Sequence, residues 1–240
     1  MNVLAVNAGS SSLKIRLAET DGVRTTTLAA GAVESIGAAA VVTFHADGHA
    51  PLRQPASIED WRAAFGALFA LVAATGARID AIGHRVVQGG AIVRSSVIDE
   101  RVIRAIEAAR ALAPLHNGPS LEGMRAAQSH APGVPAVAVF DTEFHAGMPD
   151  VAARYALPRE VSADADIRRY GYHGLAHRSM SERYAELADV AIDDVSIITL
   201  QLGNGCSAAA VRGRGSIDTS MGFTPLEGLM MGTRSGNMPE

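Results

Sequence analysis

Apolar and polar positions near the start of the chain follow patterns typical of strands and then of a helix. Strands are predicted at Val3 to Val6, Leu13 to Leu17 and Val41 to Phe44, from alternation or short apolar runs. Ser57 and Asp60 form a Ser-x-x-Asp variant of the capping box and predict a helix start. The helix has one apolar face and a glycine C-cap, made by Trp61, Phe65, Leu68, Phe69, Val72 and Gly76.

The middle of the chain alternates between predicted strands and helices. Ile79 to Val87 and Val134 to Phe140 are short apolar runs typical of buried strands. One helix is predicted from about Glu100 to a stop before Pro114, and another begins after Pro119, because proline interrupts a helix interior. Mixed strands followed by alternating helices and strands predict an α/β fold.

Turn residues at 147–149 predict a break in the chain, followed by a loop-rich stretch that reaches Arg169. Beyond it, a helix is predicted from about His177 to Ala188, and strands at Ser196 to Leu202 and Ala208 to Arg212. The last two strands flank a glycine-rich turn. The layout therefore predicts a second strand-turn-strand unit late in the chain.

Lys14 is the one lysine of the chain and ends the run Asn-Ala-Gly-Ser-Ser-Ser-Leu-Lys that begins at Asn7. Glycine and serine let backbone N–H groups approach an anion, and the compact ammonium adds a point charge for phosphate. Leu13 and Ile15 alternate with Lys14 and Arg16, which predicts a strand rather than a helix after the turn. Both a phosphate loop and a serine-rich hairpin turn with a solvated lysine fit this segment.

The segment from Val6 to Ser10 lines up with the segment from Leu200 to Asn204. Each has a carboxamide, a small or apolar spacer and a glycine turn between two predicted strands. Such an internal repeat predicts two domains of like topology, each supplying one glycine-rich phosphate loop to a shared cleft. Coincidence is the alternative explanation for so short a match.

The composition limits the function classes. With 240 residues, 48% of them hydrophobic and 19% charged, the chain can bury a substantial core. A formal net charge of -4 gives no electrostatic footprint for nucleic acid. The single cysteine, Cys206, excludes an internal disulfide framework, and no run of 18 apolar residues or signal-peptide pattern is found. We therefore expect a soluble, cytoplasmic protein without nucleic-acid or membrane partners.

Several polar residues stand at the ends of apolar runs, where rigid elements commonly position functional groups. They are Arg85, His116, Asp141, His173 and Arg234, and with Asn7, Lys14 and Asn204 they supply cations, imidazoles, a carboxylate and carboxamides. This inventory suits phosphoryl transfer, in which positioning and charge neutralisation provide most of the catalysis. Surface arginines, structural histidines and a turn-capping aspartate are the alternatives, and the histidine spacing does not match a zinc site.

Ordered motifs along the whole chain resemble the acetate kinase family of short-chain carboxylate kinases, in the superfamily of sugar kinases, heat-shock proteins and actin. The motifs are NAGSSSLK at 7–14, GHRVVQGG at 83–90, LAPLHNGP at 112–119, FDTEFH at 140–145, RRYGYHG at 168–174, LGNGCS at 202–207 and DTSMGFTPLEGLMMGTRSG at 218–236. The resemblance implies a duplicated actin-like ATPase domain of the ribonuclease H-like class.

The resemblance also implies a reaction, the reversible conversion of ATP and acetate to ADP and acetyl phosphate with Mg²⁺ or Mn²⁺. It implies a homodimer for the full-length protein. A propionate or butyrate kinase shares these motifs and is a close alternative. A non-catalytic binding remnant of an acetokinase is an alternative of a different class.

The roles that the resemblance implies fall into five groups. Asn7 would help to place the metal, and Ser10, Ser12 and Lys14 would form the first phosphate loop. Asp141 would organise the Mg²⁺ or the attacking carboxylate, while His173 and Arg234 would neutralise charge on the moving phosphoryl group. The remaining residues would bind the acyl substrate, namely Arg85, Val87, Leu115, His116 and Tyr172, or form the second phosphate loop, namely Gln201, Leu202, Gly203, Asn204 and Gly205.

The chain departs from the family pattern in side chains and in length. Gln88 and Gln201 stand where histidine is usual, and Tyr172 stands where phenylalanine is usual. The chain also resembles only an N-terminal portion of the family, with a first domain at 1–146 and an incomplete second domain at 147–240. We therefore expect this chain alone to be inactive, and to be poorly soluble or partly disordered beyond about residue 150.

Overall fold

The computed structural model describes residues 1–164 and 166–238. The chain divides into two compact units, Met1–Val139 and Phe140–Glu240. The domain boundary expected between residues 146 and 147 stays a prediction. The last two residues of the expected second domain, Pro239 and Glu240, lie outside the described residues.

The first unit is built on an eight-stranded mixed sheet. Its strands are β1 (Asn2–Ala8), β2 (Ser12–Thr20), β3 (Thr25–Glu34), β4 (Ala40–Ala46), β5 (Leu52–Ala56), β6 (Ala81–Val86), β7 (Ser96–Val97) and β8 (Ala136–Phe140). Their order is β5-β4-β3-β2-β1-β6-β8-β7. Strands β1 to β5 pair antiparallel in sequence, whereas β6 lies parallel to β1. The α/β prediction is confirmed.

The first hairpin shows how the alternating pattern specifies the sheet. Leu13, Ile15 and Leu17 are buried on one face of β2, whereas Lys14 between them is exposed. Each buried aliphatic side chain stabilises the fold by about 1.5–3 kcal/mol. Asn7 of β1 pairs with Lys14 in the antiparallel register. The predicted strand-turn-strand arrangement is confirmed, and the turn lies at the end of the hairpin.

Strands β3 and β5 were not predicted from the sequence, for different physical reasons. The β3 sequence is rich in threonine, alanine and glycine and lacks alternation. A Cβ at Gly31 would lie 2.9 Å from side-chain carbons of Phe44 and Leu68, so glycine lets the core pack closely against this strand. Strand β5 contains Pro55 and lies at the sheet edge, where proline is tolerated.

Helix α1 (Trp61–Ala74) contributes the predicted apolar face to the core of the first unit. Phe65, Leu68 and Val72 are buried. The N-cap is Asp60, whose Oδ1 accepts a hydrogen bond of 2.7 Å from the backbone N–H of Ala63. The cap is therefore a single aspartate, and the prediction that Ser57 begins a capping box was wrong.

The other helices of the first unit are α2 (Glu100–Ala108), followed by a 3₁₀ turn at Ala109–Leu112, and α3 (Pro114–His130). The prediction that α3 begins after Pro119 was wrong. Pro114 occupies the first helical turn, where the missing N–H has no partner in any case, and Pro119 lies inside the helix. Leu121 and Met124 are buried and hold the helix in place despite the lost backbone bond.

The second unit contains helices and a small separate sheet. Its described elements are α4 (Asp150–Ala153), α5 (Arg159–Asp164), α6 (Gly174–Ala188), β9 (Ser196–Leu202), β10 (Cys206–Arg212) and β11 (Gly215–Thr219). The strands form an antiparallel sheet in the order β11-β10-β9. The predicted hairpin of β9 and β10 is confirmed, whereas α6 begins three residues before the predicted His177.

Strand β9 is an edge strand with an apolar row on one face. Ile198 is 74% exposed, Leu200 is 50% exposed and Leu202 is 70% exposed. An exposed apolar edge strand is a site at which sheets associate.

In the part of the chain that the structure describes, no helix has the length and apolar character needed to span a membrane.

Candidate functional site

The turn between β1 and β2 carries the residues predicted for the first phosphate loop. The backbone N–H of Gly9 donates to the carbonyl oxygen of Ser12 at 2.7 Å, which closes the turn. The indole N–H of Trp61 donates to the carbonyl oxygen of Gly9 at 3.2 Å and ties the turn to α1. Ser10 and Lys14 are exposed and Ser12 is half-buried, so their polar groups are available to an anion.

The structure brings together two predicted residues of the first unit that lie far apart in the sequence. Asn7 is on β1 and Arg85 is on β6, and the parallel pairing of Val6 with His84 places them side by side. An Nη1–H of Arg85 donates to Oδ1 of Asn7 at 3.0 Å. The residue predicted to place the metal is thus in direct contact with the residue predicted to bind the carboxylate.

Gln88, one of the departures from the family pattern, is buried and hydrogen-bonded. Its Oε1 accepts from the backbone N–H of Gly90 at 3.0 Å. Its carbonyl oxygen accepts from Nδ2 of Asn117 at 2.9 Å, and its N–H donates to Oδ1 of Asn117 at 3.3 Å. The carboxamide therefore shapes the backbone after β6, which explains why a glutamine can occupy this position.

The predicted acyl-binding residues of the first unit have different exposures. Val87 is buried, His116 is half-buried and Leu115 is 67% exposed. Leu115 and Ser10 both line a surface cavity of about 350 Å³ in the first unit. The cavity thus connects a residue of the predicted phosphate loop with one of the predicted acyl pocket.

In the second unit, Asp141 contacts the start of helix α6, directly after His173. The backbone N–H of Gly174 donates to the carbonyl oxygen of Asp141 at 2.9 Å, and the Asp141 side chain is buried. His173 precedes the helix in the left-handed region, with φ of 59°. Such a conformation in a non-glycine residue persists only where the surroundings hold it, and it is common at functional sites.

Gly174 is required by this close approach. A Cβ at this position would overlap the carbonyl oxygen of Asp141 and lie 2.9 Å from Cβ of Phe144. Gly174→Ala is therefore expected to lower the free energy of unfolding by about 1–3 kcal/mol, as overpacking does. Urea unfolding measures the change. Gly215→Ala is the matched control, because nothing lies within 4 Å of a Cβ there. Equal stabilities of the two variants would contradict the proposed crowding.

The turn between β9 and β10 gathers four of the predicted residues. A Cβ at Gly205 would lie 3.2 Å from Nε2 of His173 and 3.6 Å from Nη1 of Arg234. The backbone N–H of Gly232 donates to the carbonyl oxygen of Asn204 at 3.2 Å, which joins this turn to the segment before Arg234. A glycine turn beside an imidazole and a guanidinium forms a cradle suited to a phosphate group.

Arg234 and Tyr172 are both anchored on the segment from Phe223 to Glu227. Nη1 of Arg234 donates to the carbonyl oxygen of Pro225 at 2.8 Å. The Tyr172 hydroxyl donates to the carbonyl oxygen of Phe223, also at 2.8 Å. The extra hydroxyl of Tyr172, relative to the usual phenylalanine, is therefore used in a backbone hydrogen bond.

The same segment is fixed by a tyrosine that the sequence did not single out. The Tyr155 hydroxyl donates to the Glu227 carboxylate at 2.7 Å, and the backbone N–H of Phe223 donates to the Tyr155 hydroxyl at 2.7 Å. Burial is the main cause that raises the pKa of Tyr155 to about 12, and the Glu227 carboxylate adds to it. The tyrosine therefore stays protonated and keeps donating at neutral pH.

A chain of hydrogen bonds behind His173 was also missed from the sequence. Nδ1 of His173 lies 2.8 Å from Oγ of Ser207, which lies 2.9 Å from Nε2 of His177. Nδ1 of His177 lies 2.8 Å from Oγ1 of Thr199, which donates to the carbonyl oxygen of Ala209 at 3.4 Å. The one sequence signal is Thr199, a hydroxyl within the apolar run of β9.

His145 has a defined tautomer, and its ring packs against the ring of His177 in this chain of hydrogen bonds. Its Nε2 must carry a proton, because it donates to the carbonyl oxygen of Tyr172 at 3.0 Å. Its buried Nδ1 has no hydrogen-bond partner within residues 1–164 and 166–238. Burial lowers the pKa of His145 to about 4, and the Tyr172 carbonyl offsets part of that effect. His145 is therefore a neutral, structural histidine at physiological pH.

Of the predicted second-loop residues, Gln201 and Leu202 lie at the end of β9. Gln201 is half-buried, and a Cβ at Gly203 would lie 3.5 Å from its Nε2. Leu202 is exposed.

Among the described residues, no three His, Cys, Asp or Glu side chains converge in a group able to hold a metal.

The sequence profile of the acetokinase family matches residues 2–239. The chain belongs to the acetokinase family. It is 48% identical over 242 residues to an acetate kinase of Clavibacter sepedonicus, covering 98% of this chain and 61% of that relative. An acetate kinase of Thermoanaerobacter pseudethanolicus is 47% identical over 247 residues, covering 99% of this chain and 61% of the relative.

Solved structures of acetokinases show the same fold. The crystal structure of an acetate kinase from Porphyromonas gingivalis matches with a TM-score of 0.85 and 36% identity, over 99% of this chain and 61% of that one. A propionate kinase from Francisella tularensis matches with a TM-score of 0.91 and 40% identity, over 99% and 62%. The acetokinase fold is confirmed, and the chain spans about 61% of the length of its curated relatives.

Proposed function

We propose that the protein acts as an acetate kinase, which converts ATP and acetate reversibly to ADP and acetyl phosphate. The observation that carries this proposal is the cluster around the Gly205 turn. It places an imidazole, His173, and a guanidinium, Arg234, beside a glycine, where a Cβ would lie 3.2 Å from the imidazole. Two side chains that can carry positive charge beside an open backbone suit a phosphoryl group, whose transfer spreads negative charge over its oxygens.

In this proposal, each of the two glycine turns supplies donors to a phosphate group. The first turn offers a phosphate two hydroxyl donors, from Ser10 and Ser12, and one ammonium, from Lys14. The second turn binds through the carboxamides of Gln201 and Asn204 and the backbone of Leu202 and Gly205. The Gly203 N–H is used within the turn, where it donates to the Gly205 carbonyl oxygen at 3.0 Å. Gln201 replaces a histidine that could become cationic, so its contribution is hydrogen bonding without charge.

Mg²⁺ fits the donor set because magnesium is usually held by one or two protein oxygens, with substrate phosphates and water completing its shell. The Oδ1 of Asn7 would be such an oxygen. When bound with ATP, Mg²⁺ supplies neutralisation of phosphate charge. The hydrogen bond from Arg85 at 3.0 Å orients the Asn7 carboxamide.

We assign the acetate carboxylate to Arg85, because a guanidinium pairs with a carboxylate through two parallel hydrogen bonds. Within the first unit, His116 would add a polar contact, and Val87 and Leu115 would offer apolar surface to the methyl group. Acetate is ionised at neutral pH and is already a nucleophile. Asp141 therefore has an organising role and does not need to remove a proton.

Formation of acyl phosphate from MgATP by the full-length protein tests the proposal, because this chain alone is expected to be inactive, and trapping by hydroxylamine is the readout. Acetate, propionate and butyrate should be compared in competition at equal concentration. We expect the largest kcat/KM for acetate. A preference for propionate would favour the second candidate, a propionate kinase, which the structural match to the Francisella tularensis enzyme supports. No acyl phosphate from any of the three would favour a non-catalytic binding protein.

We further propose that the full-length protein is a cytoplasmic homodimer, as the family resemblance implies. The cytoplasm supplies the ATP and the reducing conditions that suit a lone cysteine such as Cys206. Sedimentation equilibrium measures the oligomeric state directly. A single monomeric species across the accessible concentrations would contradict the dimer.

A further inference from the structure

The hydrogen-bond chain behind His173 has a direction that follows from the chemistry of its members. Each hydroxyl has one proton to donate, and a carbonyl oxygen only accepts. When the Thr199 hydroxyl donates to Ala209, Thr199 must accept from an Nδ1–H of His177. His177 then presents an unprotonated Nε2, and the Ser207 hydroxyl donates to it.

Ser207 has then used its proton and must accept from Nδ1–H of His173. The reverse direction is less favourable, because the Thr199 proton would turn toward His177 and the bond to the Ala209 carbonyl would be lost. That direction would also aim the Ser207 proton at Nδ1 of His173. An imidazolium at His173 would then place two protons opposite each other.

His177 can link the hydrogen bonds of Thr199 and Ser207 because its imidazole is neutral. It is fully buried at the start of α6. Burial is the largest cause that lowers the pKa of His177 to about 4, and the nearby His145 and His173 lower it further. A neutral imidazole has one donor and one acceptor nitrogen. The position of one proton on His177 is therefore coupled to the position of the proton on Ser207.

We propose that Thr199, His177 and Ser207 are positioning residues that keep a proton on Nδ1 of His173 and present its Nε2 to the Gly205 turn. This arrangement of donors and acceptors, here called the wiring, is the same in both charge states of His173, because Ser207 accepts a hydrogen bond from Nδ1–H in either state. His173 can thus carry positive charge beside a phosphoryl group without rearrangement of its neighbours. That use of the wiring rests on the proposed function, whereas the proton positions do not.

Long-range ¹H–¹⁵N spectra of the protein labelled with ¹⁵N-histidine report the proton positions directly. At about pH 8, we expect a proton on Nδ1 of both His173 and His177, with Nε2 of His177 unprotonated. A wild-type spectrum with His173 protonated on Nε2 alone would overturn the proposal. This measurement needs no variant and no activity.

Thr199→Val tests whether the proton positions on His177 and His173 are coupled. Without the threonine oxygen as acceptor, the His177 proton should move to Nε2 and donate to Ser207. Ser207 should then donate to His173, which switches to the tautomer protonated on Nε2. A folded variant with unchanged tautomers would overturn the proposal.

Thr219→Val is the matched control. Thr219 is buried to the same degree as Thr199, with 5% exposure each, and it lies in the same sheet. Its hydroxyl donates to the carbonyl oxygen of Ala208 at 2.9 Å, without a histidine in the connection. We expect wild-type tautomers in this variant, and a switch of His173 would show that loss of any sheet hydroxyl has the same effect, which would overturn the specific wiring.

The spectra and the kinase assay separate the two proposals. The expected tautomers in a protein that forms no acyl phosphate would remove the proposed function and leave the wiring intact. Acyl phosphate formation by a protein whose His173 is protonated only on Nε2 would support the proposed function and overturn the proposed hydrogen-bond direction.

Discussion

Arg234→Ala is expected to lower the kcat for acyl phosphate formation by about 10²–10³, the effect of losing one transition-state donor. Nη1 of Arg234 is held at 2.8 Å from the carbonyl oxygen of Pro225, beside the Gly205 turn. Its charge is therefore pre-positioned where negative charge is proposed to develop. If it acts in the transition state, the KM for ATP should change far less than kcat.

Arg214→Ala is the control for this substitution. Arg214 lies in the same unit and forms an exposed ion pair with Asp193 at 2.9 Å, and exposed pairs contribute little. We expect a normal kcat for this variant. A near-normal kcat for Arg234→Ala, in a protein whose circular dichroism matches the wild type, would remove Arg234 from the proposed site.

The parts of the fold that the sequence predicted are those set by local rules. The hairpins around the turns at Gly9 and Gly205 were predicted because apolar alternation, a glycine turn and a second strand are all local features. Similarly, the apolar face of α1 was predicted from helical spacing. The start of α3 was predicted wrongly, because burial of Leu121 and Met124 outweighs the local effect of Pro119.

The parts of the candidate site that the sequence missed depend on contacts between distant residues. Ser207 meets His177 across 30 positions of sequence, and Tyr155 meets Glu227 across 72. No short motif encodes such pairs, because β10 brings Ser207 to α6 only once the second unit has folded. Sequence reasoning therefore found the charged residues of the proposed site but not the neutral residues that orient them.

Three buried histidines are expected to make the protein unstable in mild acid. Burial is the largest cause that lowers the pKa of His84, His145 and His177 to about 4, from an ordinary value of 6.5. The reason is clearest for His84 and His145. Each has a buried ring nitrogen without a hydrogen-bond partner among the described residues, so an added proton would have no acceptor.

The sign of the effect follows from proton binding. Between about pH 6.5 and about pH 4, these imidazoles bind protons in the unfolded chain but remain neutral in the folded one. The unfolded state therefore gains protons first, and the free energy of unfolding falls as the pH falls through this window. Each histidine contributes up to about 1.4 kcal/mol per pH unit. Above the window, they contribute no pH dependence.

Urea unfolding between about pH 7 and about pH 5 measures this slope. His84→Leu replaces a buried imidazole with an apolar side chain, and we expect it to flatten the slope by up to about 1.4 kcal/mol per pH unit. His45→Gln is the control, because His45 is exposed on β4 of the same sheet. An unchanged slope in His84→Leu would show that His84 binds its proton equally in the folded and unfolded states, which would contradict the predicted effect of its burial.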